Sequence, residues 1–394
     1  MEKTKLFGYG TFLLCLLGML SAFGPFVTDM YLPALPQLQA FFQTDASMVQ
    51  LSLSTSMLGL ALGQIFIGPL SDKYGRKPLL VISLWIFIVS TIICIYSPSI
   101  EAFVALRFLQ GIGGSGGIVL SRSIATDRYW GEKLAKMMAV IGAINGIAPV
   151  TAPIVGGMMT DSTGWKGIFW VLMAVGVVLL IGSYIMRETL AEDKRSEEGL
   201  IRTFASFKKI ICNPRFTNIW LQYGFCGGAF FAYISASPFI IQQHYGFSAL
   251  MFSVIFGFNA LMIGIGCGVS AKFKTPMHST HYASLGLIAS ATAECLTRWL
   301  DGPFWLFEVL AVCLLTCIGL CFTSSTVIAL NEEHENAGAA SALVGAILFV
   351  AGGIVSPLVG IGNLTHTTGI VFVVCAIVAL IFSFRSKSRY VATA

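Results

Sequence analysis

The 394-residue chain is 56% hydrophobic and only 11% charged, with a mean hydropathy of +0.81. A soluble domain carries about 25% charged residues, so this composition excludes a soluble globular protein and predicts a polytopic membrane protein embedded in a lipid bilayer. The formal charge of +5 gives no case for a nucleic-acid partner, because Lys and Arg fall in connecting segments and not on one face.

A membrane-spanning helix needs about 20 mostly apolar residues. Twelve such runs are present: Leu6–Tyr31, Met48–Leu70, Leu79–Tyr96, Glu101–Ser121, Met137–Thr160, Gly167–Met186, Phe216–Ile241, Phe252–Ala271, Tyr282–Trp299, Phe304–Ile328, Ala337–Ile361 and Gly369–Phe384. The first is too long for a cleavable leader and lacks a small-residue cleavage site. With the N-terminus inside, 21 of the 24 Lys and Arg residues lie in inner segments. The positive-inside rule then puts both termini and the long central loop in the cytoplasm. That loop, Arg187 to Arg215, is the one long charged connection. It predicts an N-terminal six-helix half over 1–190, a linker over 191–214 and a C-terminal half over 215–394.

The first run ends Thr28-Asp29-Met30-Tyr31-Leu32-Pro33, and Pro33 and Pro36 are expected to kink or end the helix. Asp29 is the one acidic residue inside the first six runs. If the helix continues past Pro33, Asp29 sits in the outer half of the membrane.

Between the second and third runs lies Gly68-Pro-Leu-Ser-Asp72-Lys-Tyr-Gly75-Arg76-Lys77, read as a tight turn in which Gly68 and Gly75 allow the backbone to bend. Its basic residues would serve as a cytoplasmic anchor in any membrane protein. The Gly-x-x-x-Asp-x-x-Gly-Arg-Lys spacing goes further and resembles the loop 2–3 signature of the major facilitator superfamily. The resemblance implies an all-α integral membrane fold of 12 transmembrane helices, in two six-helix halves around a central cavity. A faint internal echo, Gly68 aligned with Gly268 and Asp72 with Lys272, agrees with a duplicated chain.

The fourth run contains Arg107-Phe-Leu-Gln110-Gly111-Ile-Gly113. An Arg at this depth must face a cavity or a partner, unless it snorkels to the outer surface. The Arg-x-x-Gln-Gly spacing resembles the helix-4 motif of proton-coupled members of the superfamily. Arg107 and Asp29 fall at similar depth and are expected to share one cavity. Desolvation favours a neutral carboxyl and a nearby cation favours a charged one, so a group between these effects can exchange a proton. A purely structural Asp29–Arg107 pair is the alternative. The string Gly111-Ile-Gly113-Gly-Ser-Gly116 also spells a dinucleotide fingerprint, but that motif needs an aqueous βαβ unit. Inside an apolar run the glycines are better read as a groove for close helix packing.

Within the fifth run, the stretch from Ala139 to Gly157 holds Asn145, Ala148-Pro149 and Ala152-Pro153 before Gly156-Gly157. It resembles the superfamily's antiporter motif, with Ala in place of three glycines. Asn145 offers a polar group toward the cavity. The seventh carries Phe230, Phe231, Tyr233, Ser235 and Ser237. Such aromatics usually pack a core, yet rings beside hydroxyls also suit flat organic molecules. Glu294 and Arg298 are four apart on one helix face and are read as an ion pair at the outer rim. Glu308 is a weaker candidate for a second proton site. Cys313, Cys317 and Cys321 form a helical stripe of small packing residues, and His278 and His281 a solvated face. Neither group supplies a metal site, and no cofactor is expected.

Three strings resemble the Bcr/CflA drug-resistance transporters: Thr28-Asp29-Met-Tyr-Leu-Pro33-Ala-Leu-Pro36, Ala232-Tyr233-Ile-Ser-Ala-Ser237-Pro238-Phe239 and Gly338-Ala-Ala-Ser341-Ala342-Leu-Val-Gly345. The resemblance implies a monomeric carrier in the bacterial inner membrane that exports drugs such as chloramphenicol or bicyclomycin in exchange for protons. It implies that Asp29 and Arg107 line the proton and substrate cavity. Thr28, Gln110, Asn145, Pro149, Phe230, Phe231, Tyr233 and Asn259 are the further expected drug contacts. It also implies that Gly68, Asp72, Gly75, Arg76 and Asp127 form a cytoplasmic gate, with Asp72 capping the eleventh helix. Rival readings are a symporter or facilitator for a sugar or amino acid, a membrane enzyme and a transporter-like sensor. The enzyme would need a His/Asp/Ser or metal set at one depth, which is missing. The sensor would carry an added signalling domain.

Overall fold

In a computed structural model that describes residues 2–195, 207–333 and 337–391, the chain is all-helical. Its helices are α1 (Glu2–Asp29), α2 (Leu35–Phe42), α3 (Ala46–Tyr74), α4 (Arg76–Ile95), α5 (Ile100–Arg128), α6 (Gly131–Ser162), α7 (Gly164–Ile185), α8 (Pro214–Phe239), α9 (Ala249–Ser270), α10 (Pro276–Trp299), α11 (Phe304–Glu332), α12 (Ala337–Val359) and α13 (Leu364–Val391). The middle of the expected 191–214 linker, residues 196–206, lies outside the described residues.

Among the described residues, eleven helical segments are long and apolar enough to cross a membrane, the first of them running from α1 through α2. The twelfth expected span, α10, is long enough but more polar. Its Ser279, Thr280, Ser284, Glu294, Thr297 and Arg298 are all buried. Turning these groups inward leaves an outer face with Tyr282, Leu285 and Leu296 exposed, so a helix of modest average hydropathy still presents apolar residues to its surroundings.

Proline and glycine set the breaks, where one sequence expectation holds and another changes. First, α1 stops at Asp29, ended ahead of Pro33 as expected. Pro33 has no N–H to give the Asp29 carbonyl four residues back, and its ring clashes with that carbonyl. A turn of 3-10 helix over Leu32–Ala34 then leads into α2. Second, the stretch from Gly68 to Lys77 is not one turn. The α3 helix continues through Pro69 to Tyr74, and α4 starts at Arg76. Only Gly75 breaks the chain, at φ +101°, where L side chains are strained.

The chain divides into two units, Met1–Tyr31 with Thr55–Ile201, and Leu32–Ser54 with Arg202–Ala394. The short segment from the first half of the sequence is held within the second unit by polar bonds. Ser47 Oγ donates to the Pro357 carbonyl (3.0 Å), Gln50 Nε2 to the Ser235 carbonyl (3.0 Å) and Gln242 Nε2 to the Pro33 carbonyl (3.0 Å).

In the first unit the glycines of α5 let backbones meet. A Cβ on Gly111 would fall 2.1 Å from the Ser56 carbonyl oxygen, one on Gly113 2.4 Å from the Phe87 nitrogen and one on Gly116 2.4 Å from Ser83 Cβ. The opposing Gly59 would strike the Phe108 carbonyl at 2.2 Å. These contacts fix α5 against α3 and α4 through dispersion and close backbone approach. Gly111→Leu is therefore expected to abolish accumulation of monodisperse protein in fluorescence size-exclusion chromatography. Gly114→Ala, whose Cβ would meet nothing nearer than 3.5 Å, is expected to behave as wild type.

Candidate functional site

The end of α1 buries a cluster of polar groups inside the first unit. Asp29 and Thr28 are both buried, and the Thr28 hydroxyl lies 2.8 Å from Asp29 Oδ1 and 3.1 Å from the Gly24 carbonyl. One proton serves these two acceptors, so Thr28 can orient the carboxyl or back-bond to its own helix.

Arg107 is fully buried on α5, so it does not snorkel. Its Nη2 donates to the Val27 carbonyl at 3.1 Å, and its Nη1 donates to Gln110 Oε1. The guanidinium stacks over Tyr31 at 4.2 Å and lies 5.6 Å from the Phe169 ring. Gln110 in turn donates through Nε2 to the Thr91 hydroxyl at 2.7 Å, which donates to the Phe87 carbonyl at 2.6 Å. Among the described residues no ion pair joins Arg107 to Asp29. The Arg instead grips Val27 and Tyr31, two residues to either side of Asp29. The structure thus brings the two together at the level of the segment. A carbonyl dipole, an amide and aromatic faces compensate the buried cation.

Asn145 and Pro149 lie on α6, both partly exposed. In the second unit Phe230 is partly exposed and packs edge-on to Phe322 at 5.6 Å. Phe231 is buried against Phe349, with Gly352 so close that a Cβ there would lie 2.6 Å from the ring. Tyr233 is buried too. It accepts a hydrogen bond from Asn259 Nδ2 at 2.7 Å and stacks on Phe256 at 5.9 Å.

The turn between α3 and α4 carries a second network of the first unit. Arg76 Nε donates to Asp127 Oδ2 at 2.9 Å, its Nη1 lies 2.5 Å from Asp72 Oδ1, and Nη1 also donates to Ser71 Oγ at 2.7 Å. Gly68 is not a point of close approach, since a Cβ there would sit 3.6 Å from Val119 in ordinary contact. Asp72 pairs with Arg76 within its own unit.

Glu188 is the residue that sequence reasoning missed. Its carboxylate accepts the backbone N–H of Arg76 at 3.1 Å and of Lys77 at 3.0 Å, and so caps the N-terminus of α4 from 112 residues away. A Cβ on Gly75 would lie 2.7 Å from it. Glycine is needed here for both φ and space. The single hint in the sequence was an acid beside Arg187 after the sixth run. Loss of a helix cap costs about 1 kcal/mol, so Glu188→Ala is expected to lower the melting temperature of the purified protein modestly, with α4 fraying first in hydrogen exchange.

Two readings of α10 also change. Glu294 and Arg298 do form an ion pair, Nη2 to Oε1 at 2.8 Å, but both side chains are buried and not at a rim. His278 is exposed as expected, whereas His281 is buried with its ring 4.6 Å from that of Phe384. Both changes follow from the inward turn of the α10 polar face.

A family model described as Major Facilitator Superfamily matches residues 14–357. An uncharacterized MFS-type transporter, YdgK of Bacillus subtilis (strain 168), is 37% identical over 382 residues, which covers 95% of each chain. A bicyclomycin resistance protein homolog of Haemophilus influenzae is 26% identical over 379 residues, again 95% of each. The solved structure of a bacterial homolog to the human lysosomal transporter Spinster is 18% identical, covers 98% of each chain and superposes with a TM-score of 0.78, a likeness of fold. Apolar spans that fold their few polar groups inward, matched by one family model over most of their length, give a single assignment: this chain belongs to the Major Facilitator Superfamily of membrane transporters.

Proposed function

We propose that the protein expels small amphipathic drugs across the bacterial inner membrane in exchange for protons, with Asp29 as the group that carries the proton. The observation that carries the reading is the state of that carboxyl. It is buried at the broken end of α1, bonded by the Thr28 hydroxyl, and Arg107 is committed elsewhere. A carboxyl held by an ion pair would resist protonation; one held by a single hydroxyl can gain or lose a proton without dismantling its surroundings. The drug displaces the proton from the inner side, and a proton reloads the site from the outer side. Coupling requires that drug and proton differ in affinity for the two access states.

Within the first unit Thr28, Asn145 and Pro149 are the proposed drug contacts, and within the second Phe230 and the Tyr233–Asn259 pair. Arg76, Asp72 and Asp127 form the proposed cytoplasmic gate, with both termini on that side. The name of the Haemophilus relative supports drugs of the bicyclomycin type as cargo. A susceptibility panel tests this in cells that lack their own exporters. Cells carrying the protein are expected to tolerate chloramphenicol or bicyclomycin-like compounds better than cells without it. Equal susceptibility across the panel, with no drug-driven proton movement, would reject efflux.

A further inference from the structure

The second unit contains a polar centre that the Asp29 reading does not use. The α8 helix supplies Tyr233, α9 Asn259, α10 Glu294 and Arg298, and α11 Glu308. Asn259 gives its Nδ2 proton to the Tyr233 hydroxyl, while its Oδ1 is buried with no donor. Glu308 lies beside that same amide, and its Oε2 is likewise buried without a donor. Glu294 gives Oε1 to Arg298 and keeps a third orphan acceptor at Oε2. Asn259 and Glu294 are fully buried. The Arg298 nitrogens not used on Glu294 include buried Nε and Nη1 without an acceptor, and its guanidinium lies over the rings of Phe307 and Phe372 at 4.9 and 5.4 Å.

Two counts point the same way. In hydrogen bonds, the centre holds three buried acceptors short of a donor, and buried polar groups are ordinarily paired. In charge, Arg298 is met by Glu294, which leaves Glu308 with no cation of its own. Tyr233 is neutral, Asn259 is neutral, and α12, which also packs on α11, contains no ionisable residue. With both carboxyls ionised the centre would hold one uncompensated negative charge, a costly arrangement. One proton on Glu308 removes the excess charge and two of the three unmet acceptors, leaving only Glu294 Oε2. It neutralises the centre and turns an acceptor into an O–H donor that the Asn259 carbonyl can take. Glu308 is also the partly exposed member of the two acids, so a proton can reach it.

We infer that Glu308 is a second proton-binding site, completed by Asn259 and set beside the Glu294–Arg298 pair. It stands independently of drug export, and its test needs no drug. Infrared difference spectra of the full-length protein in lipid, recorded as the bath pH is stepped, should show a protonated-carboxyl C=O band. One component of that band is expected to vanish in Glu308→Gln and to persist in Asp29→Asn. In Asn259→Ala the component should survive but move to higher wavenumber, because its hydrogen-bond acceptor is gone; a merely structural role for Asn259 would not move it. A Glu308→Gln spectrum identical to wild type would overturn the inference, as would an unmoved component in Asn259→Ala. The latter decides alone should Glu308→Gln not accumulate. Either failure leaves the Asp29 reading standing.

Discussion

Asp29→Asn is expected to abolish drug-driven proton release from everted membrane vesicles while leaving the protein at wild-type abundance. The exchange keeps size and shape, and the amide oxygen still accepts from the Thr28 hydroxyl that now bonds Asp29 Oδ1 at 2.8 Å. What disappears is the ability to hold a proton in one access state and yield it in the other. Because the local hydrogen bond survives, lost coupling cannot be put down to a collapsed helix end. The measurement is lumenal pH by a fluorescent probe on addition of chloramphenicol, against immunoblotted abundance. Wild-type proton release from the Asn variant would refute Asp29 as the coupling group, whatever the cargo.

Arg107→Lys should lower drug efflux at least about tenfold even though it keeps the charge. The guanidinium uses its edge and its face together: Nη2 on the Val27 carbonyl, Nη1 on Gln110, and its face on Tyr31 at 4.2 Å. A Lys ammonium is a compact point charge that cannot reproduce that fork and stack together. A lost hydrogen bond to a charged group is worth about 1.5–3 kcal/mol, which is roughly tenfold or more in an equilibrium. The loss falls on function because Val27 and Tyr31 bracket Asp29, so loosening the grip lets the broken end of α1 drift. Stability falls as well, since Gln110 or Val27 is left with an unmet buried acceptor. Efflux of a tracer drug and a thermal melt of the purified variant check both effects. Efflux at the wild-type rate would mean that charge alone, without the geometry, suffices at this position.

Much of this was legible in one dimension. Hydropathy and Lys/Arg placement are sums over neighbours in sequence, so they located the spans and the charged loops without any tertiary information. The same is true of the two charges set deep in apolar runs, Asp29 and Arg107, which have no reason to be there unless they serve an interior. The glycines of α5 were legible for a similar reason, since a missing Cβ in a spanning helix has few uses besides close packing. Partner choice was not legible. Arg107 bonds a backbone carbonyl 80 residues away, and the direct pair with Asp29 that stood as the alternative does not form. Glu188 caps a helix that begins 112 residues before it. Glu294 and Arg298 were paired by their helical spacing, but their burial depends on which face of α10 the neighbouring helices cover. Residues Leu32–Ser54 belong to the second unit for the same kind of reason, through bonds to Ser235 and Pro357 that no local pattern encodes. The sequence determined which side chains must leave the lipid; only the packed helices decided what each one meets, because a hydrogen bond depends on distance and angle and not on position along the chain.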